Sequence, residues 1–388
     1  MINKLYILTF MVVLVLTALA QAQTFTDLYN FTYSSGAYPS AAVIEDSSGN
    51  LYGTASGGGT DYFGVVYEFS SSGTYTVLYA FTGSPDGESP NTPVIRDSQG
   101  NLYGTAGLGG TDSCGVVFKL DTAGTETVLH SFAGTPDGCN PYQGVIMDKK
   151  GNLYGTTSSG GTYREGTVFK LTAKGRETLL HRFQGEPSDG AYPSVGHLIM
   201  DEAGNLYGLT DEGGTSSDGV LYKLTPKGKE TLLYSFAGGS SDGCQPFGTV
   251  AMDKTGNFYG TTEHCGSNSY GTIWKVSAKG KETILHNFAG GTSDGCYPVA
   301  GVTLDSKGNL YGNTDECGGT GCDGYGCGTV WELSAKGRLT LLHSFDGSDG
   351  VLPNGEVLRT TNGTLFGTTP EGGTGCDDGC GTVWSYVP

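Results

Sequence analysis

The sequence predicts an all-β fold, a seven-bladed β-propeller with four-stranded blades, and three observations support it. The first is a marker, Gly-Asn-Leu-Tyr-Gly, that recurs at spacings of 51, 51, 53, 52, 52 and 55 residues, a period typical of propellers and solenoids. The second is composition: glycine makes up 67 of 388 residues and separates short Val, Ile, Tyr and Phe runs, as in chains of strands and turns. The third is that the two chain ends complement each other. The copies begin at Gly49, Gly100, Gly151, Gly204, Gly256, Gly308 and, in a degenerate form, Gly363.

One repeat contains four strand patterns, most clearly in the third copy. We expect strands at 144–148, 152–157, 166–171 and 177–183, joined by turns rich in Gly, Asp and Lys. Four antiparallel strands of this length form one propeller blade. A solenoid would need capping repeats, and the sequence has no segment that resembles one.

The chain ends predict how the ring closes. Residues 381–386 match a third strand, and no fourth-strand sequence follows them. Residues 26–31 match the fourth-strand pattern, so we expect the N-terminal strand to complete the last blade. Deleting residues 23–33 should then destabilise the fold strongly.

The N-terminus is expected to be a secretory signal peptide, residues 1–22. Lys4 precedes an apolar run over 5–19, and small-x-small cleavage sites follow. An uncleaved membrane anchor is the alternative, although the run is short for a span. The mature chain, 23–388, is predicted to be a single domain without a transmembrane span. It ends directly after the last strand, so we expect a freely released protein rather than an anchored one, in a secreted, periplasmic or cell-surface location.

The net charge of −18 argues against nucleic acid as a partner, because phosphate binding needs a basic surface. An acidic surface suits an exported protein that meets cations, neutral polymers such as glycans, or other proteins.

The ten cysteines are expected to form disulfides, as is usual in exported proteins. Zinc is the alternative, but the two pairs that lie within single loops have no neighbouring histidine, and each supplies only two of the four ligands of a structural site. The expected pairs are Cys114 with Cys139, Cys244 with Cys265, Cys296 with Cys317, Cys322 with Cys327, and Cys376 with Cys380.

The repeat also resembles a known family. Gly-Asn-Leu-Tyr-Gly-Thr-Thr, Gly-Gly-Thr, Gly-Thr-Val-Phe-Lys-Leu and Leu-His-Ser-Phe with a following Asp-Gly resemble the GloVer (Gloeo/Verruco) choice-of-anchor tandem repeat over residues 25–387. The layout resembles NHL-type blades more weakly. The GloVer resemblance implies export and tandem repeats, and it implies no activity or catalytic residue.

Residues that recur in every copy are interpreted as structural. Trp274, Trp331 and Trp384 occupy a position that is Tyr or Phe in other copies, so we expect them in the core. One fourth-strand position is histidine in some copies and tyrosine in others. This exchange favours a half-buried position at the blade edge over a catalytic base or a metal ligand. The histidines concerned are His130, His181, His286 and His343.

Departures from the repeat give the candidate ligand-binding residues. The two residues after the second strand become acidic in copies four to seven, which would place an arc of acids on one face. Such carboxylates can bind a cation or act as acid–base groups, and solvated turn acids are the alternative. His264 has no counterpart in other copies, which makes it the best single test position. The set is Asp211, Glu212, Glu263, His264, Asp315, Glu316 and Glu371.

The favoured function is a secreted binding protein whose acidic loop face holds a glycan, a cation or a protein. A structural surface module without catalysis is the alternative, and an enzyme acting on polysaccharide is the least favoured. No cofactor is predicted, with calcium as an alternative, and no metal ligands are assigned. Acids that converge near the axis would favour an enzyme or metal site, and acids spread around the rim would favour the structural module.

Overall fold

The computed structural model describes residues 23–193, 196–377 and 379–388, which form seven four-stranded antiparallel sheets arranged as the blades of a β-propeller. The predicted fold class is confirmed. The predicted signal peptide, 1–22, lies outside the described residues. Among the described residues the one helical segment is a 3₁₀ turn at Cys322–Gly324, and no helix there is long and apolar enough to cross a bilayer.

The strands of each blade are numbered outward from the axis, and the blades follow the order of the repeats. First strands span Ile44–Glu45, Ile95–Arg96, Ile146–Met147, Ile199–Met200, Gly243–Met252, Thr303–Leu304 and Leu358–Arg359. Second strands span Leu51–Ala55, Leu102–Ala106, Leu153–Thr157, Leu206–Thr210, Phe258–Cys265, Leu310–Thr314 and Leu365–Thr369. Third strands span Val65–Phe69, Val116–Leu120, Thr167–Leu171, Val220–Leu224, Thr272–Val276, Thr329–Leu333 and Thr382–Val387. Fourth strands span Tyr75–Ala80, Glu126–Ser131, Glu177–Arg182, Glu230–Ser235, Glu282–Asn287, Leu339–Ser344 and Thr24–Asn30.

Short ribbons join the loop that enters a blade to the residues that follow the second strand of the same blade. In blade 5 this ribbon is continuous with the first two strands, and in blades 1 and 7 it is reduced to single bridges, Ala37 with Gly57 and Val351 with Glu371. We call the surface formed by these loops and ribbons the loop face. The separate ribbons pair Gly87–Glu88 with Leu108–Gly109, Gly138–Cys139 with Ser159–Gly160, Gly190–Ala191 with Glu212–Gly213, and Gly295–Cys296 with Glu316–Cys317.

The N-terminal strand closes the ring, as the sequence predicts. Thr24–Asn30 pairs antiparallel with Thr382–Val387, the third strand of blade 7. Directly after it, the Phe31 amide donates to the Gly381 carbonyl at 3.0 Å. Phe31 is fully buried in a cluster that joins blade 7 to blade 1. The last blade is therefore built from both ends of the chain.

The core lies between adjacent blades and explains two motifs of the repeat. The Phe after each fourth strand meets the third-strand ring of the next blade, as in Phe236 and Trp274, whose centroids are 5.3 Å apart. The last Gly of the marker makes room for that ring, since a Cβ on Gly312 would lie 2.5 Å from Trp331. The expected burial of the three tryptophans is observed: Trp274, Trp331 and Trp384 are each 0% exposed.

An aspartate in the turn before the marker explains the Asn and the Tyr of the marker. Asp148 accepts hydrogen bonds from the Lys150 and Asn152 amides, the Asn152 side chain and the Tyr154 hydroxyl, at 2.7–3.0 Å. These donors hold the pKa of Asp148 below its usual value in spite of partial burial. Blade 7 has Thr360 at the equivalent position and loses the side-chain bonds from Asn and Tyr, so its marker is degenerate.

Five disulfides join all ten cysteines in the predicted pairs. Cys114–Cys139 links blade 2 to the following loop, and Cys244–Cys265 and Cys296–Cys317 tie the ribbons of blades 5 and 6. Cys322–Cys327 and Cys376–Cys380 each close a short loop. Five disulfides are typical of a protein that folds in an oxidising compartment.

Candidate functional site

A cavity of about 490 Å³ lies on the propeller axis, lined by residues that precede the first strand of six blades and by residues within the long first strand of blade 5. One position of the repeat lines it in all seven blades. Four of its residues are small or apolar and leave space, and three are polar. In blade order they are Ala42, Pro93, Gly144, His197, Thr249, Gly301 and Glu356.

The three polar residues form one cluster in the cavity wall. The Thr249 hydroxyl lies 3.0 Å from His197 Nδ1 and accepts a hydrogen bond from the His197 amide at 3.1 Å. Burial raises the pKa of Glu356, while His197 and a hydrogen bond with Thr249 act in the opposite direction. Gly301, in the intervening blade, has no side chain to separate Thr249 from Glu356. The wall therefore combines an imidazole, a hydroxyl and a carboxyl.

Two of the predicted acids lie at the axial cavity, and a third, Asp211, interacts with one of them from the neighbouring blade. Glu263 and Asp315 line the cavity. Burial, followed by the charges of Glu316, Glu263 and Glu371, raises the pKa of Asp315 to about 7. Burial, followed by Glu212 and Glu263, raises the pKa of Asp211 to about 6, against the effect of His264. Glu263 thus interacts with the acids on both sides of it.

The other predicted residues lie outside the cavity. Glu212, Glu316 and Glu371 occupy the ribbons and are exposed to solvent. His264 is 42% exposed, lies 3.4 Å from Glu263 and packs edge-on against a tyrosine ring. The alternation of a ribbon turns the first acid of each pair towards the axis and the second towards solvent.

Several polar atoms around the cavity have no hydrogen-bond partner among the described residues. They are buried, and they belong to two asparagines, a glutamine and an aspartate: Asn91 Oδ1, Gln143 Nε2, Asp315 Oδ1 and Asn354 Oδ1. Gln143 is only 4% exposed, so solvent does not readily satisfy its amide. Native proteins rarely leave such groups without a partner, so the cavity wall contains polar groups whose hydrogen bonding is incomplete among the described residues.

Each of the seven repeats has a non-glycine residue with positive φ at an equivalent position on the loop face, four residues before the cavity-lining position or within one residue of that spacing. Their φ values of 52–60° are unusual for residues other than glycine, and the fold holds them through bonds such as the Asp315 amide to the Tyr297 carbonyl, 3.0 Å. Tyr38 and Tyr192 are 39% and 38% exposed. The seven residues are Tyr38, Ser89, Asn140, Tyr192, Gln245, Tyr297 and Leu352.

The residues of the cavity wall were not among those predicted from the sequence. His197, Thr249 and Glu356 occupy a position that is Ala, Pro or Gly in the other copies. This departure from the repeat could have identified them as candidate site residues. Gln143 and Asn354 carried no such signal, because they lie in loops whose conformation the sequence does not specify.

Solved structures share the fold at low sequence identity. Virginiamycin B lyase from Staphylococcus aureus aligns with 94% of this chain and 99% of its own, at 12% identity and a TM-score of 0.60. A protein from Bacteroides uniformis described as a 6-phosphogluconolactonase aligns over 84% and 89% of the two chains, at 18% identity and a TM-score of 0.51. Puromycin hydrolase aligns over 87% and 51%, at 12% identity and a TM-score of 0.52. At these identities the likeness shows the fold alone.

Family comparison assigns the repeat itself. No curated protein matches the chain. The profile of the Gloeobacter/Verrucomicrobia repeat matches residues 15–199 and again 194–388, and so covers both halves of the propeller. The resemblance seen in the repeated motifs is confirmed: the chain belongs to the Gloeobacter/Verrucomicrobia repeat family.

Proposed function

We propose that this protein is a secreted binding protein whose loop face takes the end of a glycan chain in the axial cavity. The observation that carries the proposal is the set of buried, unpartnered polar atoms on Asn91, Gln143, Asp315 and Asn354. Each such group costs about 1–3 kcal/mol when it is left unsatisfied. Sugar hydroxyls both donate and accept, so they suit a mixture of amide and carboxylate groups.

Charge and shape support a neutral polyhydroxylated ligand. The carboxylates of Glu263 and Asp315 repel phosphate and sulfate, and they accept hydrogen bonds from hydroxyl groups. The cavity volume of about 490 Å³ falls within the range of small-ligand sites. Tyr38 and Tyr192, partly exposed in the loops that enter blades 1 and 4, offer ring surface on which further sugar rings can pack.

Binding of the mature protein, 23–388, to a broad glycan array with and without calcium tests the proposal. We expect a specific hit that Asp315→Asn weakens at least tenfold and Glu316→Gln leaves unchanged. These neighbours form a matched pair, because Asp315 lines the cavity and Glu316 lies in the exposed ribbon. Absence of any hit, or equal losses in both variants, would contradict the proposal. A glycan hit that is lost without calcium would show that the acids bind a cation that takes part in glycan binding.

The convergence of the acids favours one second candidate, an enzyme that cleaves the bound glycan. Asp315, with a pKa raised to about 7, can hold a proton at neutral pH, and Glu263 is a second carboxyl in the same cavity. A proton donor and a second carboxylate are the groups that glycoside hydrolysis needs. Release of reducing ends from the array ligand, lost in Asp315→Asn, would support catalysis, and an intact ligand after prolonged incubation would leave binding alone.

A further inference from the structure

Each blade contacts the next through an equivalent junction near the outer strands, away from the axial cavity. At six of the seven junctions a fourth-strand His or Tyr contacts an aspartate of the loop that enters the next blade. The residue of the next fourth strand that is equivalent to Glu126 lies beside them, and around the ring it is Glu, Leu, Phe or Tyr. Where it is aromatic the rings stack, as His343 does on Phe25 at 3.6 Å and Tyr29 on Tyr75 at 4.0 Å.

Among the described residues, two junctions bring an imidazole and two carboxylates together. Between blades 2 and 3, His130 Nε2 lies 3.2 Å from Asp137 Oδ2 and 3.6 Å from Glu177 Oε1. Between blades 3 and 4, His181 Nε2 lies 3.1 Å from Asp189 Oδ2 and 3.8 Å from a carboxylate oxygen of Glu230. In each set the three ligand atoms lie within 4.8 Å of one another.

We propose that these two junctions, His130–Asp137–Glu177 and His181–Asp189–Glu230, each bind a divalent transition ion such as zinc through three protein ligands, with the fourth position left to water. Zinc with bonds of about 2.0–2.1 Å to His and carboxylate ligands places those atoms roughly 3.3 Å apart in a tetrahedron. The His–Asp separations of 3.2 and 3.1 Å are close to this value, and the His–Glu separations of 3.6 and 3.8 Å require a small contraction. One neutral imidazole and two carboxylates balance the charge of the ion. The imidazole favours zinc over calcium or magnesium.

Glu177 Oε1 and Glu230 Oε1 are buried without a hydrogen-bond partner among the described residues, and so are the equivalent oxygens of Glu126 and Glu282 at two tyrosine junctions. The imidazole beside the two carboxylates is therefore what distinguishes the two proposed sites. The aspartates are held in place by the backbone, as in the amides of Gln184 and Gly190, which donate to Asp189 at 2.9 and 2.7 Å. Such outer contacts orient the ligands of a metal before it binds. The inference revises the interpretation of this histidine position as purely structural, and it is independent of the function proposed for the loop face.

The chain contains its own matched control. Tyr234, Asp242 and Glu282 form the same junction between blades 4 and 5 with a phenol in place of the imidazole, and the Tyr234 hydroxyl donates to Asp242 at 2.9 Å. Exchanging His and Tyr at this position is therefore compatible with the fold. His130→Tyr and His181→Tyr should each remove one site, and Tyr234→His should create one.

The test is the zinc content of tag-free protein, residues 23–388, after equilibrium dialysis against micromolar ZnCl₂, with thermal unfolding as the check on folding. We expect two zinc ions per chain, one in either single His→Tyr variant, none in the double variant and three in Tyr234→His. Zinc should also raise the Tm of the wild type and leave that of the folded double variant unchanged. A folded wild type without zinc would overturn the proposal, and so would zinc retained by the double variant, for example at Glu263 and His264.

Discussion

Deleting residues 23–33 should abolish the cooperative stability of the propeller, because it removes the strand that closes the ring. The deleted segment supplies a ladder of six residue pairs with the third strand of blade 7. It also supplies Phe31, which is 0% exposed and packs edge-on against Tyr67 of blade 1. Truncating a buried Phe to Ala costs about 3–5 kcal/mol. Domains are stable by about 5–15 kcal/mol in total, so losing this side chain together with the ladder removes most of the stability.

Urea denaturation followed by tryptophan fluorescence measures this effect, since all three tryptophans are fully buried between blades. The point variant Phe31→Ala should lower the midpoint by an amount that corresponds to about 3–5 kcal/mol. Tyr325→Ala is the control, because Tyr325 is 79% exposed and its loss should leave the midpoint unchanged. A deletion variant that unfolds cooperatively at the wild-type midpoint would refute closure by the N-terminal strand.

Three further predictions concern the packing, the disulfides and the ionisable groups of the blades. Gly312→Ala should lower the free energy of unfolding by about 1–3 kcal/mol, because its Cβ would lie 2.5 Å from Trp331. Adding Trp331→Phe to the same chain should recover part of that loss. Equal denaturation midpoints in Gly312→Ala and the wild type would contradict the prediction. Replacing Cys244 and Cys265 by serine removes a disulfide with a sequence separation of 21 and should cost about 2–4 kcal/mol, measured with the oxidised wild type as reference. A variant as stable as the oxidised wild type would contradict this prediction. Burial raises the pKa of Glu282 to about 7 in the folded protein. The folded state therefore gains its full stabilisation at pH values below the ordinary carboxyl pKa, and it loses that stabilisation as the pH rises through about 7. Glu282→Gln should therefore flatten the stability profile between pH 5 and pH 8, and a profile as steep as that of the wild type would show that another group is responsible.

The sequence was sufficient for the architecture because each blade repeats the same physical devices. In six copies a turn aspartate accepts bonds from the Asn and Tyr of the marker, and in all seven the last Gly of the marker accommodates the third-strand ring of the same blade, so the repeats define the blades. The closure of the ring could also be predicted, since the N-terminal Leu-Tyr-Asn-Phe pattern matches a fourth strand that has no first three strands before it. The cysteine pairs followed from their equivalent places in neighbouring repeats.

The site was only partly predictable, because a repeat pattern does not specify which way a departing residue points. The acids after the second strands were identified, but the sequence treated Asp315 and Glu316 alike, whereas one lines the cavity and the other faces solvent. The position of His197 and Glu356 on the axis depends on the ring closing, which brings blades 4 and 7 together although they are distant in sequence. Loop residues such as Gln143 became apparent only from their burial.

The most direct test of the proposed site is a crystal structure of the mature protein with the tightest-binding glycan from the array. We predict that a terminal sugar occupies the axial cavity, with hydroxyl groups within hydrogen-bond distance of Gln143, Asp315 and Asn354. A glycan bound at the rim or on the opposite face, with the axial cavity holding only water, would contradict the account.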